Sequence, residues 1–332
     1  MQKITQTMLI DKAVSLLENG TVSCVFGWQK GEFDYDITPA VFKNADDLKE
    51  NFVWNDFCGA NLSKYLVSKA DKIEGKILVF LKPCDSYSFN QLLTEHRFDR
   101  EKVYAIGLPC DGMADISKVK KLCGDGISAI AFGDDTISVT TIYEDKPFEI
   151  ALKDVLLERC ENCKSKKCVA YDELLGENGD VLDSNRFDEV ARIEAMTPDE
   201  RFAFWQNELS RCIRCNACRD ACPACTCEKC VFDNPDSGVE NKAAANSFEE
   251  KMFHIIRAFH VAGRCTDCGE CSRVCPQNIP LHLLNRKFIK DINGFYGEYQ
   301  AGAEVGSRAP LVNYTEEDIE PYEVFDRRDI DA

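Results

Sequence analysis

Two groups of cysteines with the same spacing constrain this chain more than any other feature of its sequence. Both follow C-x2-C-x2-C-x3-C-P, in which proline comes directly after the fourth cysteine. The cysteines are Cys212, Cys215, Cys218 and Cys222 in the first group, and Cys265, Cys268, Cys271 and Cys275 in the second. Tight turns let the first three thiolates of a group converge on one iron–sulfur cube, and the fourth cysteine reaches the cube of the other group.

The spacing therefore predicts two [4Fe-4S] clusters with exchanged fourth ligands. We assign the first cluster to Cys212, Cys215, Cys218 and Cys275, and the second to Cys265, Cys268, Cys271 and Cys222. Zinc also accepts four thiolates from C-x2-C pairs. Zinc fingers rarely carry a third cysteine at this spacing and a trailing Cys-Pro twice, so the iron–sulfur interpretation is favoured.

The composition agrees with a metal-binding protein of a reducing compartment. The chain of 332 residues contains 19 cysteines, an odd number that disulfides cannot pair completely. Cysteines in such number are typical of metal ligation in the cytoplasm. The N-terminal segment has no signal-peptide core, and no stretch reaches the roughly 18 apolar residues of a membrane span. We therefore expect a cytoplasmic protein without a direct membrane span.

The charge of the chain narrows the choice of partners. It carries 57 acidic and 40 basic residues, a formal net charge of -17. Such a charge opposes binding to phosphate backbones and to anionic lipid surfaces. Nucleic acid is therefore not an expected partner.

The N-terminal half shows the alternation of an α/β domain. "KILVFL" at 76–81 and "KVYAIGL" at 102–108 suit buried parallel strands, and "DSYSFNQLLTEH" between them suits a crossover helix. A helix over residues 5–19 comes first, and strands near "ISAIAF" and "TISVTTIY" continue the pattern to about residue 145. We predict an α/β domain with a partly parallel sheet over residues 1–158.

Helices frame the two cysteine groups in the C-terminal half. Thr197 with Glu200 and Ser247 with Glu250 predict two capped helix starts, and a third helix begins near Leu281 and stops at the following "NG". We predict a cysteine-containing segment and acidic connector over residues 159–196. A mainly helical dicluster domain like bacterial ferredoxins should follow over residues 197–297, with an extended acidic tail over residues 298–332.

A further set of cysteines lies upstream of the two groups. "LKPCDS" and "GLPCDG" each place Pro-Cys-Asp directly after a buried strand, so Cys84 and Cys110 should lie at the carboxyl ends of adjacent strands, where ligands of open α/β sheets collect. "LERCENCKSKKC" adds Cys160, Cys163 and Cys168. We predict a third [4Fe-4S] cluster on these three cysteines and Cys110, with Cys84 as the second choice for the fourth ligand. A small zinc knuckle or free thiols are the other interpretations.

Two aspartates follow the cysteines of the Pro-Cys-Asp turns. Asp85 and Asp111 most simply cap helices. In the alternative interpretation they orient a cofactor at the sheet edge together with Cys84.

Three more cysteines, Cys225, Cys227 and Cys230, follow the first group in "CPACTCEKC". They could hold an additional metal with one remote cysteine, or tune the nearby cluster through hydrogen bonds around its sulfurs. They could equally be buried, inert thiols that pack the loop.

The segment ending in "HVAGRCTDCGECSRVCPQNIPLHLL" resembles the dicluster ferredoxin modules of multisubunit anaerobic oxidoreductases over about residues 197–293. The resemblance implies clusters that pass single electrons between a catalytic subunit and another carrier. The C-P-x-C-x-C extension is similar to that of the iron–sulfur subunits of sulfhydrogenases and anaerobic sulfite reductases.

Further upstream, "GLPCDGM", "RCENC" and "YDELLGENGD" resemble the beta subunits of deazaflavin-dependent hydrogenases and formate dehydrogenases over about residues 76–180. The resemblance implies a [4Fe-4S] cluster and FAD, which exchange electrons with a two-electron carrier. This chain departs from that family because its ferredoxin module is C-terminal and the N-terminal Gly-Gly segment of the flavin region is not evident. No G-x-G-x-x-G or P-loop is present either, so FAD is kept as an alternative.

Together these features predict an electron-transfer iron–sulfur subunit of an anaerobic oxidoreductase complex, such as a formate dehydrogenase, a hydrogenase or a heterodisulfide-reductase-like complex. Its partners would be the catalytic and electron-carrier subunits. One alternative is a FAD-containing subunit that exchanges hydride between a nicotinamide or deazaflavin coenzyme and the clusters. Another is an iron–sulfur redox sensor, which would need an effector module that the sequence does not reveal.

Overall fold

The structure, a computed structural model, describes residues 4–233 and 247–313. They form an α/β half followed by a helical half, which confirms the predicted fold class. The strands are β1 (Cys24–Lys30), β2 (Ile37–Phe42), β3 (Ile77–Leu81), β4 (Val103–Gly107), β5 (Ile127–Phe132), β6 (Thr136–Thr141), β7 (Phe148–Ala151) and β8 (Glu173–Leu174). The helices are α1 (Gln6–Glu18), α2 (Ala45–Asn51), α3 (Ser63–Lys69), α4 (Pro83–Thr94), α5 (Ile116–Cys123), α6 (Glu158–Glu161), α7 (Asp188–Glu194), α8 (Pro198–Ser210), α9 (Ala217–Asp220), α10 (Ser247–His260), α11 (Glu270–Arg273) and α12 (Leu281–Tyr296).

The main sheet has five strands in the order β2-β1-β3-β4-β8. β1, β3, β4 and β8 run parallel, and β2 pairs with β1 in the antiparallel direction. All five residues of β3 are buried, as expected for a central parallel strand that helices cover on both faces. α4 makes the crossover from β3 to β4, so the two Pro-Cys-Asp turns lie next to each other at one edge of this sheet.

A second, three-stranded antiparallel sheet contains β5, β6 and β7. The sequence predicts that these strands continue the alternation of strands and helices. In the structure, no crossover helix separates β5 from β6. Their connection is only three residues long, which is enough for an antiparallel hairpin and too short for a parallel crossover. The fifth strand of the main sheet is instead β8, which comes from the segment predicted as a connector.

The helical half holds both cysteine groups between α8, α10 and α12. The predicted capping box at the start of α8 is present, with Thr197 and Glu200 each bonded to the other's backbone N–H. The side chains of Ser247 and Glu250 lie outside the described residues. α12 continues past the "NG" that was expected to end it and stops before Gly297, whose φ of 87° suits glycine.

The first part of the predicted acidic tail packs across both halves of the protein. The Tyr299 hydroxyl donates to the Gly263 carbonyl at 3.0 Å, and the Gly306 N–H donates to the Thr94 hydroxyl at 2.9 Å. A Cβ atom on Gly302 would lie 1.9 Å from the Tyr87 carbonyl oxygen, so only glycine fits this close approach. The remainder of the tail, residues 314–332, lies outside the described residues.

Of the helices in the described part of the chain, none combines the length and the apolar character that crossing a bilayer demands.

Candidate metal centres

The two cysteine groups fold into loops with the same backbone conformation. We call residues 212–218 the first cysteine loop and residues 265–271 the second. In each loop the third and fifth residues have positive φ angles, 52° at Arg214 and 62° at Asn216 against 57° at Asp267 and 65° at Gly269. Non-glycine residues seldom adopt this conformation, so its repetition indicates two loops built for the same task.

The fourth cysteine of the first group lies beside the second loop. Cys222 acts electrostatically on the thiols of Cys265, Cys268 and Cys271. These four cysteines, which we call the second site, are the set that the sequence predicts for the second cluster. Cys268 and Cys271 are buried and Cys265 is half-buried, and desolvation raises the pKa of each of the three thiols.

The reverse exchange occurs at the first loop. One cavity there is lined by Cys212, Cys215, Cys218 and Cys275, which we call the first site. Cys275 and Cys212 both act electrostatically on Cys218. Cys215 is exposed, whereas Cys218 is buried, so this cavity lies close to the protein surface.

Cys225 lies next to the second site, but the other two cysteines of the extension do not join it there. A hydrogen bond from the Cys225 thiol lowers the pKa of Cys222, and Arg257 and Lys64 lower it further. This favours the thiolate form, which is the form that binds metals. Cys227 is exposed, and Cys230 packs against the apolar core of the helical half. Of the three interpretations, the arrangement favours a tuning role for Cys225.

A third cavity lies at the carboxyl edge of the main sheet. It is lined by Cys84, Cys110, Cys160 and Cys163, which we call the N-terminal site. Cys84 follows β3 in the first turn of α4, and Cys110 follows β4, as the Pro-Cys-Asp turns predict. Cys160 belongs to α6, and Cys163 lies two residues after the end of that helix.

Cys168, which the sequence predicts as a ligand here, is not among the cysteines that line this cavity. Its thiol donates to the carbonyl of Leu108, which follows β4, at 3.5 Å and to the carbonyl of Leu81, the last residue of β3, at 3.8 Å. Burial raises the pKa of Cys168 to about 12. Cys84, the second choice from the sequence, does line the cavity together with Cys110, Cys160 and Cys163, and Cys268 lines it as well.

The charge of this cavity fits an anionic group bound by thiolates. Five of the side chains that line it are cationic, and Asp267 is the one carboxylate among its described lining residues. The cations are Lys82, Arg159, Lys164, Lys166 and Arg286. The Arg159 Nε is buried and has no hydrogen-bond partner among the described residues, so it is free to donate to a bound group.

The two aspartates of the Pro-Cys-Asp turns do not cap helices. Asp85 is completely buried and pairs with Lys82 at 2.7 Å, while the Lys82 Nζ also donates to the Ala60 carbonyl at 2.9 Å. The Cys84 Sγ lies 3.6 Å from the Asp85 carboxylate, so this ion pair fixes the start of α4 and its cysteine. Asp111 is exposed and precedes α5, whose N-cap is Asp115.

The second site and the N-terminal site share a boundary. Cys268 lines the N-terminal cavity as well as belonging to the second site. Arg159 crosses this boundary: its guanidinium donates to the Cys268 carbonyl, to the Gly59 carbonyl at 2.7 Å and to the Glu270 carboxylate at 2.7 Å. Lys164 donates to the Thr266 carbonyl. The cations that flank the Cys160–Cys163 pair therefore attach it to the second loop.

An open groove lies on the other side of Cys110. Apolar and aromatic side chains, including Trp54, Phe132 and Met113, form part of its wall. Four carboxylates also line it, and no lysine or arginine is among its described lining residues; the four are Asp56, Asp111, Asp134 and Asp135. This lining does not fit the diphosphate of FAD, which carboxylates would repel.

Within residues 4–233 and 247–313, no three cysteine, histidine or acidic side chains converge closely enough to hold a single metal ion. One zinc ion with Zn–S bonds of about 2.3 Å needs such convergence, whereas a cube of four irons binds its ligands at separate corners. The separated cysteines therefore agree with the cube that the cysteine spacing predicts.

Residues 208–279 match the 4Fe-4S dicluster domain family. The chain is 25% identical to the F420-dependent formate dehydrogenase subunit beta of Methanocaldococcus jannaschii, over 90% of this chain and 92% of that protein. It is 23% identical to the F420-dependent formate dehydrogenase 1 subunit beta of Methanococcus maripaludis, over 83% of this chain and 87% of that protein. Among solved structures, a chain of the F420-reducing [NiFe] hydrogenase complex from Methanosarcina barkeri is similar, with a TM-score of 0.37, 13% identity and coverage of 64% of this chain and 91% of that chain.

Proposed function

We propose that this chain, an iron–sulfur electron-transfer protein with a 4Fe-4S dicluster domain at residues 208–279, carries electrons through three [4Fe-4S] clusters within a larger anaerobic oxidoreductase. When bound, each cluster supplies a carrier of one electron. The residues of the chain hold the clusters, exclude water from them and set their order. The substrate-converting chemistry belongs to another subunit.

The proposed ligands are the cysteines of the three sites. The first cluster takes Cys212, Cys215, Cys218 and Cys275, and the second takes Cys265, Cys268, Cys271 and Cys222. The third takes Cys84, Cys110, Cys160 and Cys163 at the carboxyl edge of the main sheet. The five cations of the N-terminal cavity support this third assignment, because four thiolates and a cluster together bring negative charge into a buried space.

The observation that carries the proposal is the position of Cys268. This cysteine belongs to the second site by its neighbours and also lines the N-terminal cavity. The first and second sites are in turn adjacent, since Cys271 of the second site acts electrostatically on Cys218 of the first. The three sites thus form a continuous series with the second site in the middle.

The two ends of the series differ in what they offer to a partner. At the first site the exposed Cys215 lies beside Ile213, which is 59% exposed, so a partner subunit can approach closely. At the other end the groove beside Cys110 is open to solvent. We propose that a catalytic subunit, such as a formate dehydrogenase or a hydrogenase, and a carrier subunit dock at these ends. A cytoplasmic location remains part of the proposal.

The function that we favour does not require FAD. The alternative function, hydride exchange through FAD, is supported by the groove, which lies directly beside Cys110 where a flavin would have to exchange electrons with the N-terminal site. Its four carboxylates speak against a diphosphate, and we therefore favour a subunit that transfers electrons only.

The experiment is a determination of iron, acid-labile sulfide and flavin in the full-length protein purified without oxygen. About twelve irons per chain, with no flavin released on denaturation, is the expected result. About eight irons would remove the third cluster, and a stoichiometric yield of FAD would overturn the choice between the two functions. A colourless protein containing zinc would overturn the whole proposal.

A further inference from the structure

Arg257 is a buried arginine for which the protein supplies no conventional partner. It lies in α10, between the two cysteine loops, and is 2% exposed. None of its three guanidinium nitrogens has an oxygen acceptor within hydrogen-bond distance among the described residues, and the side chain bonds to the Cys271 thiol instead. It also forms no ion pair with any carboxylate in that part of the chain, although the neighbouring arginines at the cysteine sites do; these are Arg159, Arg264 and Arg273.

An unpaired buried guanidinium is costly, so its retention needs an explanation. Arginine cannot lose its proton in a protein, and burial of a charge without compensation is strongly destabilising. Donor groups of a buried guanidinium that find no oxygen acceptor add the loss of their hydrogen bonds with water. An anionic group that accepts hydrogen bonds must therefore lie against Arg257 in the functional protein.

The surroundings of Arg257 identify that group. The charges that act on its guanidinium are those of Cys218 in the first site and of Cys222 and Cys271 in the second, together with Cys225. No carboxylate is among these main influences. His254, one turn earlier on α10, is buried with both ring nitrogens unpartnered among the described residues, and burial lowers its pKa to about 3, so it is neutral.

We propose that Arg257 is a positioning residue that sets the reduction potentials of both clusters of the dicluster domain. Its guanidinium lies between the first and second sites and donates hydrogen bonds to sulfur at each of them. Hydrogen bonds to cluster sulfurs and a nearby positive charge both favour the reduced state, because reduction adds one negative charge to the cluster. The inference rests on the proposed function only in requiring the two dicluster-domain clusters; it does not require the third.

The reaction concerned is the transfer of one electron. One cluster is oxidised as its neighbour is reduced, and no bond is made or broken. Because Arg257 faces both sites, it raises both reduction potentials together. The difference in potential between the two clusters therefore stays small. Arg257 does not line the cavity of the N-terminal site, so the effect is proposed for the first and second sites only.

The test uses the full-length, cluster-loaded protein and three variants. Arg257→Gln removes the charge, and Arg257→Lys keeps it with fewer donors. Arg100→Gln is the matched control, because Arg100 is paired with Asp172 at 2.7 Å on the surface, away from the dicluster domain. Each protein is titrated with dithionite under argon, and the clusters are followed by electron paramagnetic resonance.

We expect Arg257→Gln to lower both dicluster potentials by at least a tenfold change in the one-electron equilibrium, about 59 mV each. Arg257→Lys should change them by less than tenfold, and Arg100→Gln should leave them unchanged. Iron content should stay that of the unmodified protein. A midpoint potential is the decisive readout, because a purely structural arginine would alter stability without moving the potentials of the clusters that remain.

Three results would overturn the inference. Unchanged potentials in Arg257→Gln at full iron content would show that the charge does not act on the clusters. A change in the potential of one cluster alone would show that Arg257 does not act on both. If the Arg257→Gln protein does not assemble its clusters, the Arg257→Lys protein provides the test. Lysine keeps the positive charge, so a change of more than tenfold in its cluster equilibria would contradict a role for the charge. An unmodified protein without iron would overturn the proposed function itself, so the two failures remain distinguishable.

Discussion

The two cysteine loops have the same spacing and the same backbone, yet they lie in opposite surroundings. In the first loop Cys215 is exposed and Ile213 is 59% exposed. In the second loop Cys268 and Glu270 are buried against the α/β half. Local sequence therefore determines the shape of each loop, and the side chains between the cysteines determine what the loop contacts.

Charge explains the difference in contacts. The second loop carries two carboxylates, Asp267 and Glu270, whose positions are occupied by Arg214 and Ala217 in the first loop. Glu270 pairs with Arg159 and Arg273, and Asp267 pairs with Arg286 at 3.0 Å. The first loop has no carboxylates at these positions with which to bind the cationic segment around Cys160. The second loop is therefore the one joined to the α/β half, and the first remains at the surface.

The largest expected effect concerns the exchanged fourth ligands. Cys222→Ala should remove about four irons per chain from the second loop's cluster, although Cys222 follows the first loop in sequence, and Cys275→Ala should do the converse. The electron paramagnetic resonance signal that disappears identifies the cluster. Cys123→Ala is the control, because Cys123 is buried in α5 and its thiol donates to the Val119 carbonyl. Loss of the cluster of the same loop in either variant would contradict the exchange.

The next effect tests what the second loop is joined to. Cys84→Ala should remove about four irons per chain, because Cys84 lines the N-terminal cavity. Cys168→Ala should retain the full iron content, since Cys168 bonds to strand-end carbonyls instead. Iron and sulfide analysis of the two purified variants decides between them. Full iron content in Cys84→Ala together with iron loss in Cys168→Ala would instead support Cys168 as the fourth ligand, as the sequence predicts.

A stability comparison sharpens the contrast between buried and exposed ion pairs. Glu270→Ala leaves Arg159 and Arg273 without their shared carboxylate and should lower the free energy of unfolding by about 3–5 kcal/mol. Glu208→Ala, which breaks the exposed pair with Arg211 beside the first loop, should cost about 0–1 kcal/mol. Urea unfolding followed by circular dichroism measures both under anaerobic conditions. Equal losses of unfolding free energy in the two variants would mean that the Glu270 ion pairs do not join the second loop to the α/β half.

The smallest effect compares the fifth residue of each loop. Asn216→Ala should cost about 1 kcal/mol, because alanine is strained at a φ of 62°. Gly269→Ala meets the same strain at 65°, and its Cβ would also lie 2.7 Å from the Arg159 Cδ, so about 2–3 kcal/mol is expected. The same unfolding measurement applies. A Gly269→Ala variant no less stable than Asn216→Ala would show that Arg159 can move aside without cost.

Sequence reasoning succeeded wherever the chemistry depended on near neighbours. The spacing of the two cysteine groups, the capping box at Thr197 and the apolar runs of β3 and β4 were all predicted from a few consecutive residues, and each determines its own local geometry. The position of Cys168 could not be predicted in this way, because the C-x4-C spacing after Cys163 does not reveal that the chain turns back toward β3 and β4. Sequence reasoning also missed Arg257, which reads as an ordinary polar residue of α10 in the sequence.

The sequence by itself determined that two cubes of iron and sulfide have ligands here, because short turns with fixed spacing leave the thiolates few other arrangements. Only the tertiary structure decided which cysteines meet across the sheet edge, that Cys268 adjoins the N-terminal cavity, and that Arg257 is enclosed between two sites. The physical reason is distance along the chain. Contacts between residues 84, 110, 160 and 268 depend on how strands and helices pack, and packing is a property of the whole molecule and not of any segment.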